Sequence, residues 1–126
     1  PLVRQFRPAV NRVTLELPGG LVDSNADPSE IALRELHEET GFLSVGAICP
    51  LGNWQPDTGR LENKLWAYFV NTEALPDPVW VPERNVTTEL FSKTELRNAI
   101  RSGDFDHALH VAVVFLAIEF GLFCWD

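Results

Sequence analysis

The segment RELHEETGF, residues 34–42, sets three glutamates beside an arginine and closes on glycine. Positions three and four apart on a helix share a face, so Glu35, Glu38 and Glu39 project from one side. Like charges at that spacing repel by roughly 0.2–0.5 kcal/mol per pair. A solvated helix face tolerates this repulsion, whereas a bound divalent cation relieves it. Mg²⁺ and Mn²⁺ prefer oxygen ligands and accept carboxylates together with substrate phosphates.

Upstream, PGGLVDSNADP reads as a loop in which Asp27 or Ser29 can cap a helix with Pro28 in its first turn. The helix is expected from about Ser29 to Thr40, with Ile31, Ala32, Leu33 and Leu36 inward and a stop at Gly41. Two strands precede it, PLVRQF and RVTLELP, the second alternating Leu15 and Leu17 with Thr14 and Glu16.

Downstream, SVGAICPLG and KLWAYFV are predicted strands joined by the turn-rich loop NWQPDTGRLEN. A proline-rich connector, LPDPVWVPER, leads to the strand NVTTELFS. KTELRNAIRSG then has a helix pattern closed by Gly103, and DFDHALHVAVVFLAIEFG is a final helix capped by Asp104 or Asp106 and ended by Gly121. Interleaved strands and helices give an α/β domain with helices packed on a sheet.

A chain of 126 residues suits one domain, residues 1–126, and its 45% hydrophobic and 22% charged residues are those of a globular protein. The net charge of −8, from 18 acids against 10 bases, argues against nucleic acid and anionic membrane as partners. Phosphates remain accessible to so acidic a protein through intervening divalent cations. The apolar stretch ALHVAVVFLAIEFGLF is interrupted by His110 and Glu119 and is short for a membrane span. The terminus PLVRQFRPAV, broken by two arginines, does not read as a signal peptide. Cys49 and Cys124 have no metal-like spacing, so a reducing cytoplasm is expected.

GLVDSNADPSEIALRELHEETGF, residues 20–42, resembles the Nudix box: Gly, five residues, Glu, seven residues, Arg-Glu, an apolar residue, any residue, Glu-Glu, any residue, Gly, an apolar residue. Gly20, Arg34, Glu35, Leu36, Glu38, Glu39, Gly41 and Phe42 fall in register, while Ala26 stands where the box has its first Glu. That Glu usually partners the box arginine, so Asp23 or Asp27 is the expected substitute. VRQFRPAV, LELPGGLVD and QPDTGRLENKLWAYFV are similar to segments of the ADP-ribose and ADP-sugar pyrophosphatase branch of the Nudix hydrolases.

The resemblance implies an α/β/α sandwich with a mixed sheet between helices. It implies Mg²⁺- or Mn²⁺-dependent hydrolysis of a nucleoside diphosphate derivative, ADP-ribose or an ADP-sugar, to AMP and a sugar phosphate. Alternatives are another substrate, such as a dinucleotide or other nucleotide sugar, and a nucleotide-binding Nudix module without catalysis. Members of this branch carry amino-terminal strands through which they dimerise; the expectation is that those strands are absent here, and a homodimer is a candidate assembly.

By the same resemblance, Glu35 and Glu39 are the first metal ligands, with Glu38 and the carbonyl of Gly19 completing the set. Arg34 orients the carboxylates. The general base comes from a loop outside the box, Glu83 first and Glu89 second. Arg7, Glu16 and Pro56 are candidates for substrate binding. His107 and His110, three apart on the final helix, lack a third partner at metal spacing and read as surface or partly buried histidines. Any of Trp54, Trp66, Trp80 and Trp125 could stack on a base, but core or interface roles are the commoner fate of tryptophan.

Overall fold

The computed structural model describes residues 1–23 and 25–125; the expected loop before the first helix includes Ser24, which lies outside the described residues. The elements run β1 (Leu2–Arg7), a 3₁₀ turn at Pro8–Val10, β2 (Arg12–Glu16), α1 (Pro28–Thr40), β3 (Ser44–Trp54), β4 (Leu65–Thr72), β5 (Val86–Glu89), α2 (Lys93–Ser102) and α3 (Ala108–Glu119). Every strand and helix anticipated from the sequence is present.

β1 is the centre of a three-stranded antiparallel sheet, β2-β1-β5, and β3 pairs antiparallel with β4 in a second sheet. Successive strand residues face opposite sides, and Leu2 and Val3 are both buried, so β1 is covered on both faces. Leu2 joins Leu15, Ala99, Phe105 and Val114 in a core built with α2 and α3. α1 touches β1, β3, β4 and β5. A smaller core of Leu51, Ala67 and Ala117 joins α3 to the β3–β4 sheet. The result is an α/β architecture with helices packed on its sheets.

β2 departs from simple alternation: Thr14, Leu15 and Glu16 are all buried. Glu16 is tolerated inside because Arg7 and Thr14 satisfy its carboxylate. Local signals set the ends of α2, where Ser92 and Glu95 form a reciprocal capping box and Gly103 closes the helix in a left-handed conformation.

The start of α3 corrects the sequence reading. The N-cap is His107, not Asp104 or Asp106. Asp104 instead takes two hydrogen bonds from the Arg4 guanidinium, at 3.2 and 2.9 Å, and Asp106 is bound by Arg12. Ion pairs with the β1–β2 hairpin outcompete a local cap for both carboxylates.

Candidate active site

α1 begins where the Asp27 carboxylate accepts from the Ser29 amide at 2.8 Å, and it ends at Gly41, whose left-handed φ of 75° favours glycine. On the face toward residues 18–20 lie Glu35 and Glu39, one turn apart. A Cβ on Gly20 would sit 2.4 Å from Glu35 Cδ, so only glycine lets that carboxylate lie against the backbone. The Gly19 amide donates to Glu39 Oε2 at 2.9 Å.

Burial pushes the Glu39 carboxyl up to about 7; the Gly19 amide opposes this, while repulsion from Glu35 and Glu83 adds to it. Here negative charge is crowded into a largely buried site. Hard oxygen donors in a glycine-lined cradle fit a divalent cation. Glu38 differs from its neighbours: its side chain is 54% exposed and leans toward Arg34, 3.6 Å away, so the triad splits into two inward carboxylates and one outward.

Arg34 has not found the substitute expected from Ala26. Asp27 caps the helix, and Asp23 contributes only attraction from further off. Arg34 Nη2 donates to Glu35 Oε1 at 3.0 Å instead, binding one of the carboxylates it was expected to orient.

Across the outer face of α1 lies a cleft of about 620 Å³ lined by Glu35, Glu38, Trp80 and Glu83, among others. Glu83 comes from the connector between β4 and β5. Glu89 sits in β5 with Oε1 bonded to Arg4 Nε at 2.8 Å and does not line the cleft that Glu83 shares with Glu35 and Glu38. The two base candidates, inseparable in sequence, thus occupy different surroundings.

A second cavity, of about 650 Å³, opens between α1, the β3–β4 sheet and α3, with Arg7, Gly19, Gly20, Trp66, Tyr68 and His110 in its wall. Arg7 grips Glu16 through two bonds, Nε to Oε1 at 2.9 Å and Nη2 to Oε2 at 2.7 Å. Burial raises the Glu16 carboxyl, but Arg7 and Thr14 more than offset it and hold it at about 2. Pro56, in the β3–β4 loop, lines neither cavity.

The histidines of α3 correct the sequence reading again. A third partner does exist: Glu16 of β2 brings a potential ligand atom within 4.8 Å of one on each of His107 and His110. The imidazoles stack with centroids 3.9 Å apart, and His107 Nδ1 is buried without a hydrogen-bond partner. Among the described residues this trio, rather than the box glutamates, is the group whose candidate donors meet so closely. Glu16 is already held by Arg7 and Thr14. His110 Nδ1 accepts from the Leu17 amide at 3.0 Å, so the other ring nitrogen of the neutral imidazole carries the proton. A metal at that second nitrogen would need the ring proton on Nδ1, which here accepts a hydrogen bond. Burial, with His107 and Arg7 nearby, lowers His110 to about 4 despite Glu16. No sequence signal pairs β2 with α3, because His110 lies 93 residues beyond Leu17.

These features have counterparts in known proteins. The ADP-ribose pyrophosphatase of Saccharomyces cerevisiae is 54% identical over 95 residues, covering 72% of this chain and 41% of that protein. The ADP-sugar pyrophosphatase of Mus musculus is 46% identical over 48 residues, covering 38% of this chain and 22% of that protein. The chain therefore spans less than half the length of either relative. A solved ADP compounds hydrolase shares the fold, with a TM-score of 0.73 at 22% identity over 94% of this chain and 64% of that one. The NUDIX domain profile matches residues 2–109, and with the box register of α1 in its folded setting, the chain belongs to the NUDIX domain family.

Proposed function

We propose that this chain, as a single domain, hydrolyses the pyrophosphate bond of a nucleoside diphosphate derivative, ADP-ribose or an ADP-sugar, with Mg²⁺ or Mn²⁺ as cofactor. The observation that carries this reading is the convergence of Glu35 and Glu39 on Gly19–Gly20, with Glu83 across the adjoining cleft. The names of the two curated relatives support adenosine diphosphate as the common part of the substrate. Cys49 and Cys124 are free thiols, which suits a reducing cytoplasm.

Glu35 and Glu39 would hold the cation, with the Gly19 carbonyl and Glu38 as further candidate ligands. When bound, the cation neutralises diphosphate charge and activates water. Glu83 accepts a proton from the attacking water as its oxygen bonds to phosphorus. The bond from that phosphorus to the bridging oxygen breaks, leaving AMP and ribose 5-phosphate from ADP-ribose. Arg34 fixes the orientation of Glu35, and Arg7, held rigid by Glu16, presents positive charge to phosphate or ribose at the wall of the larger cavity.

One observation favours nucleotide binding without turnover: with Ala26 in the box, Arg34 occupies an oxygen of Glu35 itself. Incubation with ADP-ribose, ADP-sugars, dinucleotides and nucleoside triphosphates, with and without Mg²⁺, decides between the readings. Metal-dependent release of AMP and sugar phosphate is expected; binding of ADP-ribose with no cleavage would replace the hydrolase reading with the binding module.

A further inference from the structure

We propose that Trp80, backed by the His37–Asp77 pair, is a positioning residue that latches the β4–β5 connector onto the end of α1 and so sets Glu83 against the glutamates. The inference rests on the reading of Glu83 as general base.

Glu83 stands in an unfavourable place. It shares a cleft with Glu35 and Glu38, and its charge acts on Glu39. Repulsion drives an exposed carboxylate on a free connector away from such neighbours. Contacts elsewhere along the connector must hold it in place.

The VWV run at residues 79–81 supplies the first of them. Val79 and Val81 are 81% and 80% exposed, whereas the indole between them turns inward. Its ring lies directly over Gly41: a Cβ there would meet Trp80 Cδ2 at 2.5 Å. The indole Nε1–H donates to the Glu38 carbonyl at 3.0 Å, satisfying one of the carbonyls that the last turn of a helix leaves open. Gly41 therefore does two things at once, closing α1 and providing the seat for Trp80.

The remaining contacts pin the same stretch. The Asp77 amide donates to the Gly41 carbonyl at 2.8 Å, and the Trp80 amide donates to the Asp77 carbonyl at 3.0 Å. The Asp77 carboxylate accepts from the Val79 amide through Oδ1 and lies 3.1 Å from His37 Nε2 through Oδ2. Beyond this anchor only two residues, Val81 and Pro82, separate Trp80 from Glu83, three backbone steps or about 10 Å of chain at full extension. Pro82 removes one of the freely turning backbone torsions between them. The seat of the indole thus limits where the carboxylate can go.

The test compares Trp80→Ala, Trp80→Phe and Glu83→Gln with the parent chain, each assayed well below its own melting temperature so that unfolding does not contribute. Steady-state kinetics on ADP-ribose, Mn²⁺ affinity and amide exchange of residues 74–85 are measured. The latch predicts that Trp80→Ala loses exchange protection across 74–85 and lowers kcat at least tenfold, with KM and Mn²⁺ affinity within about threefold of the parent. Trp80→Phe, which keeps a ring over Gly41, recovers most of the loss. A Trp80→Ala chain with parental kcat beside an inert Glu83→Gln chain overturns the latch and leaves the base reading standing. Parental kcat in Glu83→Gln overturns the base reading and the latch with it. Unchanged exchange protection in Trp80→Ala overturns the latch whether or not any substrate is turned over.

Discussion

Acidification should unfold this protein partly through His110. Its imidazole is lowered from 6.5 to about 4 by burial, by neighbouring His107 and by Arg7, with Glu16 opposing. Above the unfolded value both states hold the neutral ring and the group is indifferent. As pH falls below it, the unfolded chain takes up a proton that the folded chain refuses until about 4, so stability is lost through that window. At roughly 1.4 kcal/mol per pH unit the interval corresponds to about 3 kcal/mol. That is a large share of the ~5–15 kcal/mol that holds a typical domain together. Carboxylates titrate nearby, and a paired comparison separates them. In His110→Gln the side-chain carbonyl can still accept from the Leu17 amide while nothing protonates. Urea unfolding followed by tryptophan fluorescence from about pH 7 to about pH 4 should show the parent losing about 3 kcal/mol more than the variant. Parallel pH dependences in the two chains, agreeing within about 1 kcal/mol, would refute the reasoning.

Three further outcomes are expected. Gly20→Ala places a methyl 2.4 Å from the Glu35 Cδ; because the obstructed group is the end of a flexible side chain, stability should fall by no more than about 1 kcal/mol while Mn²⁺ affinity drops at least tenfold in calorimetry. Glu83→Gln should cut kcat by roughly 10²-fold or more, whereas Glu89→Gln removes the charge from the contact with Arg4, costs about 1 kcal/mol or less, and leaves kcat within about twofold. Equal losses in the two variants would count against the assignment. Ala26→Glu should offer Arg34 a new partner, release Glu35 and tighten Mn²⁺ binding about threefold or more, a change of roughly 0.7 kcal/mol; an unchanged titration would show that Arg34 does not restrain Glu35.

What could be read in the amino-acid order was whatever neighbours in the chain decide. Asp27, Pro28 and Gly41 bound α1 because caps and left-handed termini act over a few residues, and the box register put Glu35 and Glu39 one turn apart on the same helix. Gly103 did the same for the end of α2. Only tertiary structure decided which distant charges would meet. Arg4 and Arg12 drew Asp104 and Asp106 out of a capping role, and Arg4 also paired with Glu89. Glu16 completed a cluster with His107 and His110, and Trp80 found its seat on Gly41. The physical reason is range: a cap or a turn competes among neighbours in the chain, whereas an ion pair or a packed ring forms wherever folding brings complementary groups within a few ångströms.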